Sequence, residues 1–522
     1  MKPQKLLLLF LCSLLNAQEI QWDITLGGAH SEYISDLLAT PDFGFLIAGS
    51  TFSGKTGSKE THSQGDLDFL LLKLDDNGKT QWQKSWGGTG TDQIATIQLT
   101  QDGGILLAGT SNSGKSGDKL DGGYGKEDFW LIQLDPQGEQ LWQMTIGGEG
   151  SDIMVVAKQT KDGGIILMGN SDSEKHPMSN DIPWLKAHNS YGGMDIWVVK
   201  LDSNGEIQWQ RTLGGNYNDI AVDIIENQNK DFIILATSNS TESGNKTSKN
   251  YGSGDYWVIK LDREGNEIWQ KTFGGDKEDQ AVALLLLEND DILMGGFSSS
   301  TASGNKTTNN EQGTDYWLLR ITDNAEVIWQ KNYNTGYADV LKNMHKTYEG
   351  NILLSGTDFH TIEEDQNYVV TKIDDQGNEL WSRTLGGNGR DVLTRSIMTR
   401  EGAYILAGTS TSTKSADKKS GKQGREDLWI IKLFDSETKN PLEVAKVVEI
   451  YPNPVDKHLT LMIHKDFDKA EMQLYDMAGR QLWSQKIDHK QTIIDMHRYQ
   501  TGLYVVKLVI DNEKYNEKII KR

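Results

Sequence analysis

The sequence predicts an all-β protein in which an array of similar four-stranded units precedes a small β-sandwich. One observation is a phrase that ends in Trp and Gly-Gly, recurs along most of the chain, and reads KLDSNGEIQWQRTLGG at Lys200–Gly215. The other is what separates the copies: short apolar or alternating runs, joined by turns that contain Gly, without helical periodicity. Residues 447–522 carry short alternating runs of a different spacing, which predict the sandwich.

The Trp of the phrase marks the length of the repeated unit. It recurs at intervals of 60, 60, 67, 60, 60 and 52 residues, as Trp22, Trp82, Trp142, Trp209, Trp269, Trp329 and Trp381. A period in this range that contains only strand signals is typical of a β-propeller or a β-solenoid. The strands predicted in the second full copy are Ile94–Thr100, Ile105–Thr110, Phe129–Leu134 and Gln140–Ile146.

The ends of the array distinguish a closed ring from an open solenoid. Gln21–Gly28 contains only the fourth strand of a unit, whereas the last unit has its first three strands and lacks the Trp strand. The N-terminal fragment would complete the last unit, which removes the exposed sheet edges. The sequence therefore predicts a seven-bladed β-propeller over residues 18–434, closed by its N-terminal strand.

The repeated phrase also resembles a known propeller repeat. The pattern Leu-Asp-x-x-Gly-x-x-x-Trp occurs at Leu74–Trp82, Leu134–Trp142, Leu201–Trp209 and Leu261–Trp269. It is similar to the tryptophan-docking repeat of quinoprotein-type propellers, in which the Trp packs between neighbouring blades. The resemblance implies the fold and not the activity, because nothing in the sequence marks a quinone pocket. We expect no cofactor.

The N-terminal residues and the bulk composition indicate where the protein acts. Residues 1–17 have the features of a secretory signal peptide: Lys2 and Lys5, then the apolar Leu6–Leu15, then Ala17. No later run is long and apolar enough to predict a transmembrane segment. The formal net charge of −21 argues against nucleic acid as a partner, since phosphate binding needs a basic surface.

Acidic residues recur at fixed places in the units. One set opens the first strand of a unit, and its members after the first unit are Asp92, Asp152, Asp219, Asp279, Asp339 and Asp391. If this set rings the channel mouth, its carboxylates could hold Ca²⁺ through oxygen ligands. The alternative is that each Asp accepts hydrogen bonds from backbone amides of its own turn, and the presence of the residue in every unit favours that role.

Departures from the repeat are better candidates for ligand binding. The loop Ser171–Met194 is the longest of the loops between second and third strands, and it carries His176, Trp184 and His188. The loop Phe359–Gln366 is short and acidic, with Glu363, Glu364 and Asp365. Function tends to lie on loops that a rigid scaffold positions, so these two loops are the candidates for a ligand site, and the alternative is that either departure is sequence drift.

After a polar linker, residues 435–446, the C-terminal module at 447–522 carries a specific set of motifs. They are Tyr451-Pro452-Asn453-Pro454, a turn at Gly479, and Thr501-Gly502-Leu503-Tyr504-Val505-Val506-Lys507. In this order they resemble the type A sorting domain of the type IX secretion system of Bacteroidetes-type bacteria. The resemblance implies passage across the outer membrane by the type IX machinery, followed by release or attachment at the cell surface. The alternative is a sandwich used for adhesion.

The sequence thus favours a secreted or surface-exposed binding module for a glycan, another extracellular polymer or a protein. One alternative is an extracellular enzyme, such as a polysaccharide lyase or hydrolase, with its site at the channel mouth. A catalytic site needs asymmetric groups from a few units, whereas most of the ionisable residues here are repeated, so an enzyme is less favoured. A structural component of the surface layer is a further alternative.

Overall fold

The computed structural model describes residues 18–27, 32–52, 54–311, 313–334, 336, 338–359, 366–436, 447–476, 479–511 and 513–522. These residues form an all-β structure, which confirms the predicted class, and the one helical element among them is a 3₁₀ turn at Glu288–Asp290. No helix in the described ranges is long and apolar enough to cross a membrane. The signal peptide predicted at residues 1–17 and most of the predicted linker lie outside the described residues.

The strands of the array follow one another in chain order, without interruption by helices. They are β1 (Gln18–Leu26), β2 (Glu32–Ala39), β3 (Phe45–Thr51), β4 (Asp68–Leu74), β5 (Thr80–Trp86), β6 (Asp92–Leu99), β7 (Ile105–Ser111), β8 (Asp128–Leu134), β9 (Gln140–Ile146), β10 (Asp152–Gln159), β11 (Ile165–Ser171), β12 (Asp195–Leu201), β13 (Ile207–Leu213), β14 (Asp219–Glu226), β15 (Phe232–Ser238), β16 (Asp255–Leu261), β17 (Glu267–Phe273), β18 (Asp279–Leu286), β19 (Ile292–Ser298), β20 (Asp315–Ile321), β21 (Val327–Tyr333), β22 (Ala338–Lys346), β23 (Ile352–Phe359), β24 (Gln366–Ile373), β25 (Glu379–Leu385), β26 (Asp391–Met398), β27 (Tyr404–Ser410) and β28 (Asp427–Asp435).

Within the described part of the array these strands form seven antiparallel four-stranded sheets. Sheets 1 to 6 each use four consecutive strands, from β2–β5 to β22–β25, and sheet 7 has the order β1-β28-β27-β26. The first strands of successive sheets lie side by side, and β26 of sheet 7 packs against β2 of sheet 1. The arrangement is therefore propeller-like, with the first strands innermost.

The N-terminal strand β1 supplies the fourth strand of the last sheet. Its register places Ile24 opposite Ile430 and Leu26 opposite Leu428. The side chain of Asp23 accepts hydrogen bonds from the indole N–H of Trp429 at 3.0 Å and from the backbone N–H of Ser420 at 2.9 Å. The strand begins at Gln18, three residues earlier than predicted. Its partner β28 runs to Asp435, one residue past the predicted end of the array.

The Trp of the repeated phrase lies between adjacent sheets. In sheet 3, the indole N–H of Trp209 donates to the carbonyl of Arg263, in the β16–β17 turn of sheet 4, at 3.0 Å. Gly265 of that turn has a positive φ of 78° and packs against the indole ring, so a Cβ there would lie 2.8 Å from ring carbons. The Gly of the phrase thus forms the turn and leaves room for the Trp of the preceding sheet.

The C-terminal module is a two-sheet sandwich, as the sequence predicts. Its strands are β29 (Val448–Tyr451), β30 (His458–Ile463), β31 (Ala470–Asp476), β32 (Gln481–Ile487), β33 (Gln491–Asp495), β34 (Gly502–Ile510) and β35 (Glu513–Lys521). One sheet has the order β29-β30-β33 and the other β32-β31-β34-β35. Between them lies a separate apolar core that includes Val455, Leu461 and Met472. The sequence predicts six of these strands, at Leu459–Ile463, Glu471–Tyr475, Gln481–Gln485, Thr492–Ile494, Leu503–Ile510 and Tyr515–Ile520. The structure adds β29, a short strand that ends in the sorting motif at Tyr451.

The sandwich contacts the array at the turns between strands. Arg400, in the β26–β27 turn, pairs with Glu449 at 3.2 Å and donates to the carbonyl of Pro41 in the β2–β3 turn at 3.1 Å. The ring of Phe43 meets that of His464 edge to face, with centroids 5.4 Å apart. These turns lie at the opposite end of the sheets from the long loops between second and third strands, so the sandwich leaves the loop-bearing face uncovered.

Removal of β1 tests its role in sheet 7. A chain that starts at residue 28 should melt at a lower temperature and be cleaved faster by proteases than one that starts at residue 18, because β28 loses its hydrogen-bonded partner. Thermal unfolding and limited proteolysis of the two chains measure this effect. A synthetic peptide of residues 18–27 should restore part of the lost stability. Equal melting and cleavage of the two chains would contradict the role assigned to β1.

Candidate functional site

The recurrent acidic residues are buried, and each accepts local hydrogen bonds. The Oδ2 atom of Asp92 accepts from the backbone N–H of Gly88 at 2.7 Å and from the hydroxyl of Ser113 at 2.8 Å. The same pair of donors, a backbone Gly and a Ser, contacts Asp152, Asp219, Asp279 and Asp391. In sheet 6, Asp339 accepts from the N–H of Gly336 at 3.3 Å. All six residues are 0% exposed.

This placement gives every one of these carboxylates a bonding role within its own part of the fold. In five of the six, all except Asp339, the carboxylate joins the Gly-Gly step that leaves one sheet to the Ser that follows the second strand of the next sheet. The pattern is that of the backbone-bonding alternative, in which Asp replaces missing backbone partners. Calcium binding by this set stays a prediction.

An acidic residue also opens the third strand of a sheet, and in sheet 3 this residue is Asp195. Packing at Asp195 and at Ser240 explains why the phrase ends in two glycines. Asp195 accepts the backbone N–H of Tyr191 through Oδ2, and a Cβ on Gly214 would lie 2.0 Å from its Oδ1. A Cβ on the next residue, Gly215, would lie 2.7 Å from Cβ of Ser240. Both glycines are therefore fixed by close packing. Burial raises the pKa of Asp195 to about 6, although the hydrogen bond from the backbone of Tyr191 acts in the opposite direction.

A buried lysine completes this repeated contact, and the sequence analysis missed it. In five sheets the Lys lies over the ring of the fully buried Trp of the third strand, with Nζ 5.2 to 6.0 Å from the ring centroid: Lys119, Lys186, Lys246, Lys306 and Lys418. Burial lowers the pKa of Lys246 to about 8, while Asp219 and Asp255 oppose the change. The sequence contains a signal for this lysine, because in four of these units a Lys lies 27 residues after the Asp that opens the first strand.

The longest loop is held to the array by its own backbone. The carbonyl of Trp184 accepts from the N–H of Gly147 at 3.2 Å, and Lys186 donates its N–H to the carbonyl of the same glycine at 3.0 Å. The Nε2 atom of His176 lies 3.8 Å from the carboxylate of Glu149. Partial burial, together with the nearby charge of Arg211, lowers the pKa of His188. No hydrogen bond joins the three predicted residues His176, Trp184 and His188 to one another within the described chain. Their role in ligand binding stays a prediction.

The second predicted ligand loop connects β23 to β24. Glu363, Glu364 and Asp365 lie outside the described residues. The strands on either side, β23 and β24, pair in regular register up to Phe359 and Gln366.

The most asymmetric group of side chains lies in the central channel, which the sequence analysis did not single out. First strands of all seven sheets line a cavity of about 290 Å³. The wall from sheets 3 to 5 carries apolar residues such as Val155, Val222 and Val282, although Lys158 and Asp223 form an ion pair there at 2.5 Å. The wall from sheets 6, 7 and 1 is polar, with Asn343, His345, Ser396, Arg395 and Asp36. The channel thus differs from one side to the other.

Hydrogen bonds and charge fix the polar wall. Arg395 donates through Nε to the carbonyl of Ser35 at 3.1 Å and lies 3.7 Å from the carboxylate of Asp36. That carboxylate also accepts from the Thr96 hydroxyl at 3.0 Å. Asp36, Thr96 and Arg395 occupy the same position in their first strands, four residues after the acidic residue that opens each strand. Sheets 3 and 5 have Val156 and Ala283 at this position. A comparison of that one column across the seven units would have revealed the asymmetry from the sequence.

His345 is the least satisfied polar side chain of this wall. Its Nδ1 lies 3.3 Å from the hydroxyl of Ser396, which is 2.7 Å from the hydroxyl of Ser355. Its Nε2 is buried and has no hydrogen-bond partner among the described residues. Burial lowers the pKa of His345 from its usual 6.5 to about 4. The residue is therefore a neutral imidazole with one free nitrogen at neutral pH.

The sorting motif fastens the C-terminal strand to the sandwich. Asn453 donates through Nδ2 to the carbonyl of Lys518 at 2.7 Å and accepts the N–H of Ile520 at 2.9 Å. Of the remaining motif residues, Gly479 has a positive φ of 81°, Tyr504 donates to the carbonyl of Gln500 at 2.7 Å, and Lys507 lies over the ring of Tyr475 at 4.2 Å. Gly502 opens β34, and Tyr451, Pro452 and Pro454 border the start of the sandwich. The motif is thus a structural signature of the module.

Comparison with known families identifies the C-terminal module. Residues 449–522 match the family model described as the secretion system C-terminal sorting domain. This confirms that the module is a secretion-system sorting domain, and it indicates a protein that is secreted or exported to the cell surface. The assignment to type A stays a prediction.

Comparisons of the whole chain give weaker similarities. The regulatory protein FlaEY of Caulobacter vibrioides is 26% identical over 214 residues, which cover 39% of this chain and 22% of that protein. Among solved structures, PorZ, a surface component of the type IX secretion system of Porphyromonas gingivalis, is 11% identical with a TM-score of 0.40, and the match covers 95% of this chain and 60% of PorZ. A structure of BBS1N in complex with ARL6DN is 9% identical with a TM-score of 0.43, covering 81% and 98%. The chain thus spans about a fifth of the curated relative.

The pKa of His345 predicts how stability depends on pH. The unfolded chain protonates this residue below its usual 6.5, whereas the folded protein does so only near 4. The unfolded state therefore binds more protons within that window, so the folded protein loses stability as the pH falls through it. His345→Gln should reduce this loss, whereas His489→Gln, at an exposed site in the sandwich, should not. Thermal melting across the window measures the difference, and parallel curves for wild type and His345→Gln would contradict it.

Proposed function

We propose that the protein is an exported seven-bladed β-propeller that binds an extracellular polymer or protein through its loop-bearing face and the adjoining channel. The type IX secretion machinery would be its partner during export, as the sorting domain suggests. A source among Bacteroidetes-type bacteria and a cleaved signal peptide at residues 1–17 belong to the same proposal.

The ring supports the first part of this proposal. Seven sheets of the described array have their first strands side by side in an unbroken cycle, and the N-terminal strand completes the last sheet. In a closed ring each sheet has its two faces covered by neighbours, which fits the continuously buried third strands of the units. A scaffold of this kind positions loops rigidly at one end.

The observation that carries the binding proposal is the asymmetry between the two ends of the ring. The sorting domain packs against the turns at one end through Arg400 and Phe43. At the other end, large aromatic side chains are exposed: Tyr33 is 45%, Phe52 47% and Tyr217 57% exposed. The rings of Tyr33 and Phe52 meet edge to face, with centroids 6.3 Å apart.

Exposed aromatic rings on a fixed scaffold suit a binding surface. Tyr offers a large apolar face and a polar hydroxyl, and it loses little conformational entropy when bound. Tyr33 lies in the first strand of sheet 1 and Phe52 directly follows the second strand. Asp36 of the same first strand belongs to the polar wall of the channel. A polymer chain lying across these rings could therefore send one polar group into the channel.

The enzyme alternative has one specific feature to support it, the proximity of Ser396 and His345. Ser396 is 1% exposed, however, and its hydroxyl is already within 2.7 Å of Ser355. A serine nucleophile needs an accessible hydroxyl aimed at the substrate. This pair is better suited to fixing the channel wall between sheets 6 and 7 than to hydrolysis.

A binding screen on the full chain tests the proposal. Glycan arrays and pull-downs of surface material, each with and without Ca²⁺, should give a ligand whose affinity falls about tenfold or more in the double variant Tyr33→Ala/Phe52→Ala, as for loss of an aromatic hot spot. The matched control is Leu141→Ala/Ile268→Ala, which removes side chains 59% and 50% exposed on outer strands. Equal loss in both variants, or no ligand for the parent chain, would overturn the proposal, and the second result would favour a structural surface component.

A further inference from the structure

We propose that His458, Asp495 and His497 form a binding site for one transition-metal ion of the Zn²⁺ class on the sorting domain. One ligand atom from each residue lies within 4.8 Å of the other two. This is the one such group of three or more His, Cys, Asp or Glu side chains that the described residues contain. It lies in the sandwich, apart from the channel, and does not depend on the proposed function.

The fold brings the three residues together from two strands. His458 opens β30 and is the register partner of Asp495 at the end of β33. In an antiparallel pair, directly opposed residues project to the same side of the sheet. His497 follows two residues later, and its ring meets that of His458 edge to face with centroids 5.3 Å apart.

The turn that carries His497 is held in place by the core. Met496, between the two ligands from this segment, is 0% exposed and donates its N–H to the carbonyl of Lys457 at 2.7 Å. The N–H of His497 donates to Oδ1 of Asp495 at 2.8 Å. The neighbouring Arg498 lies over the ring of Tyr499 at 5.2 Å. The backbone that carries these two ligands is therefore fixed by the fold.

The ligand set determines the class of ion. Zn²⁺ binds imidazole nitrogen and carboxylate oxygen at about 2.0–2.2 Å, which in a tetrahedral site places neighbouring ligand atoms about 3.4 Å apart. Nδ1 of His497 is already 3.0 Å from Oδ1 of Asp495. An imidazole binds a metal ion through a nitrogen that carries no proton, so Nδ1 of His497 is a ligand in the tautomer that has its proton on Nε2. Two imidazoles favour Zn²⁺, Ni²⁺ or Cu²⁺ over Ca²⁺, which prefers oxygen ligands.

Three protein ligands at an exposed position leave a fourth place for water. The ion would join the edge strand β33 to its neighbour β30. Because it binds the folded module and not the separated strands, it should also raise the stability of this sheet. The site would thus act as a clip on the three-stranded sheet of the sorting domain.

Calorimetric titration of the untagged, chelator-treated full chain with ZnCl₂ tests the site. We expect one saturable Zn²⁺ per chain and a rise in the melting temperature of the sandwich. His458→Ala and His497→Ala should each weaken binding by more than the 10- to 100-fold that loss of an outer-shell partner typically costs. Asp495→Asn should weaken it as well. The matched control is His489→Ala, an exposed histidine of the same module.

The same variants distinguish a metal site from loss of folding. All four should melt like the parent chain in chelator, because the substituted side chains are at the surface or only partly buried. Absence of saturable Zn²⁺ binding by the parent, or unchanged binding by both His458→Ala and His497→Ala, would overturn the proposal. Equal binding of Ca²⁺ at the same residues would overturn the assigned class of ion.

Discussion

The structure of the array depends on one contact, the close approach of a Gly-Gly step to two buried carboxylates. In sheet 3 the first glycine, Gly214, packs against the third-strand Asp195 of its own sheet. The second, Gly215, donates its N–H to the first-strand Asp219 of the next sheet at 2.7 Å. The step therefore connects consecutive sheets through backbone hydrogen bonds to side chains that water does not reach. Burial opposes the ionised form of such carboxylates, and the nearby Lys246 partly offsets this for Asp219.

This contact explains why the most regular residues of the chain are structural. The Oδ2 atom of the repeated first-strand Asp accepts hydrogen bonds from a repeated Gly and a repeated Ser, as in Asp219. The Oδ1 atoms of Asp92, Asp152, Asp219, Asp279 and Asp391 are buried and have no hydrogen-bond partner among the described residues. The first strands differ, because the residues that face the channel have no repeated partner to satisfy. There the chain has Asp36, Arg395 and His345 on one side and Val155 and Val222 on the other. Specific recognition requires such differences among sheets that otherwise have the same fold.

Much of the fold could be predicted from the sequence, since strand lengths, Gly turns and the period of the Trp are local signals. The strand Gln140–Ile146 and the pairing of the N-terminal strand with the last unit were predicted from these signals. The channel was not, because its asymmetry appears only when one column of the repeat is compared across all units, as with Asp36, Val156 and Arg395. The buried lysines were missed because a Lys within a Ser- and Gly-rich loop has the appearance of a solvated residue. Lys119 is instead 1% exposed, over Trp130.

The most direct test of this account is the stability of Gly214→Ala compared with Gly114→Ala. The first substitution places a methyl group 2.0 Å from the carboxylate of Asp195, whereas the second is in a loop where no atom lies within 4 Å of the added carbon. If the Gly-Gly step joins the sheets, thermal unfolding should show Gly214→Ala destabilised by about 1–3 kcal/mol, the usual cost of overpacking. Gly114→Ala should melt like wild type. Equal melting of both variants would contradict the account.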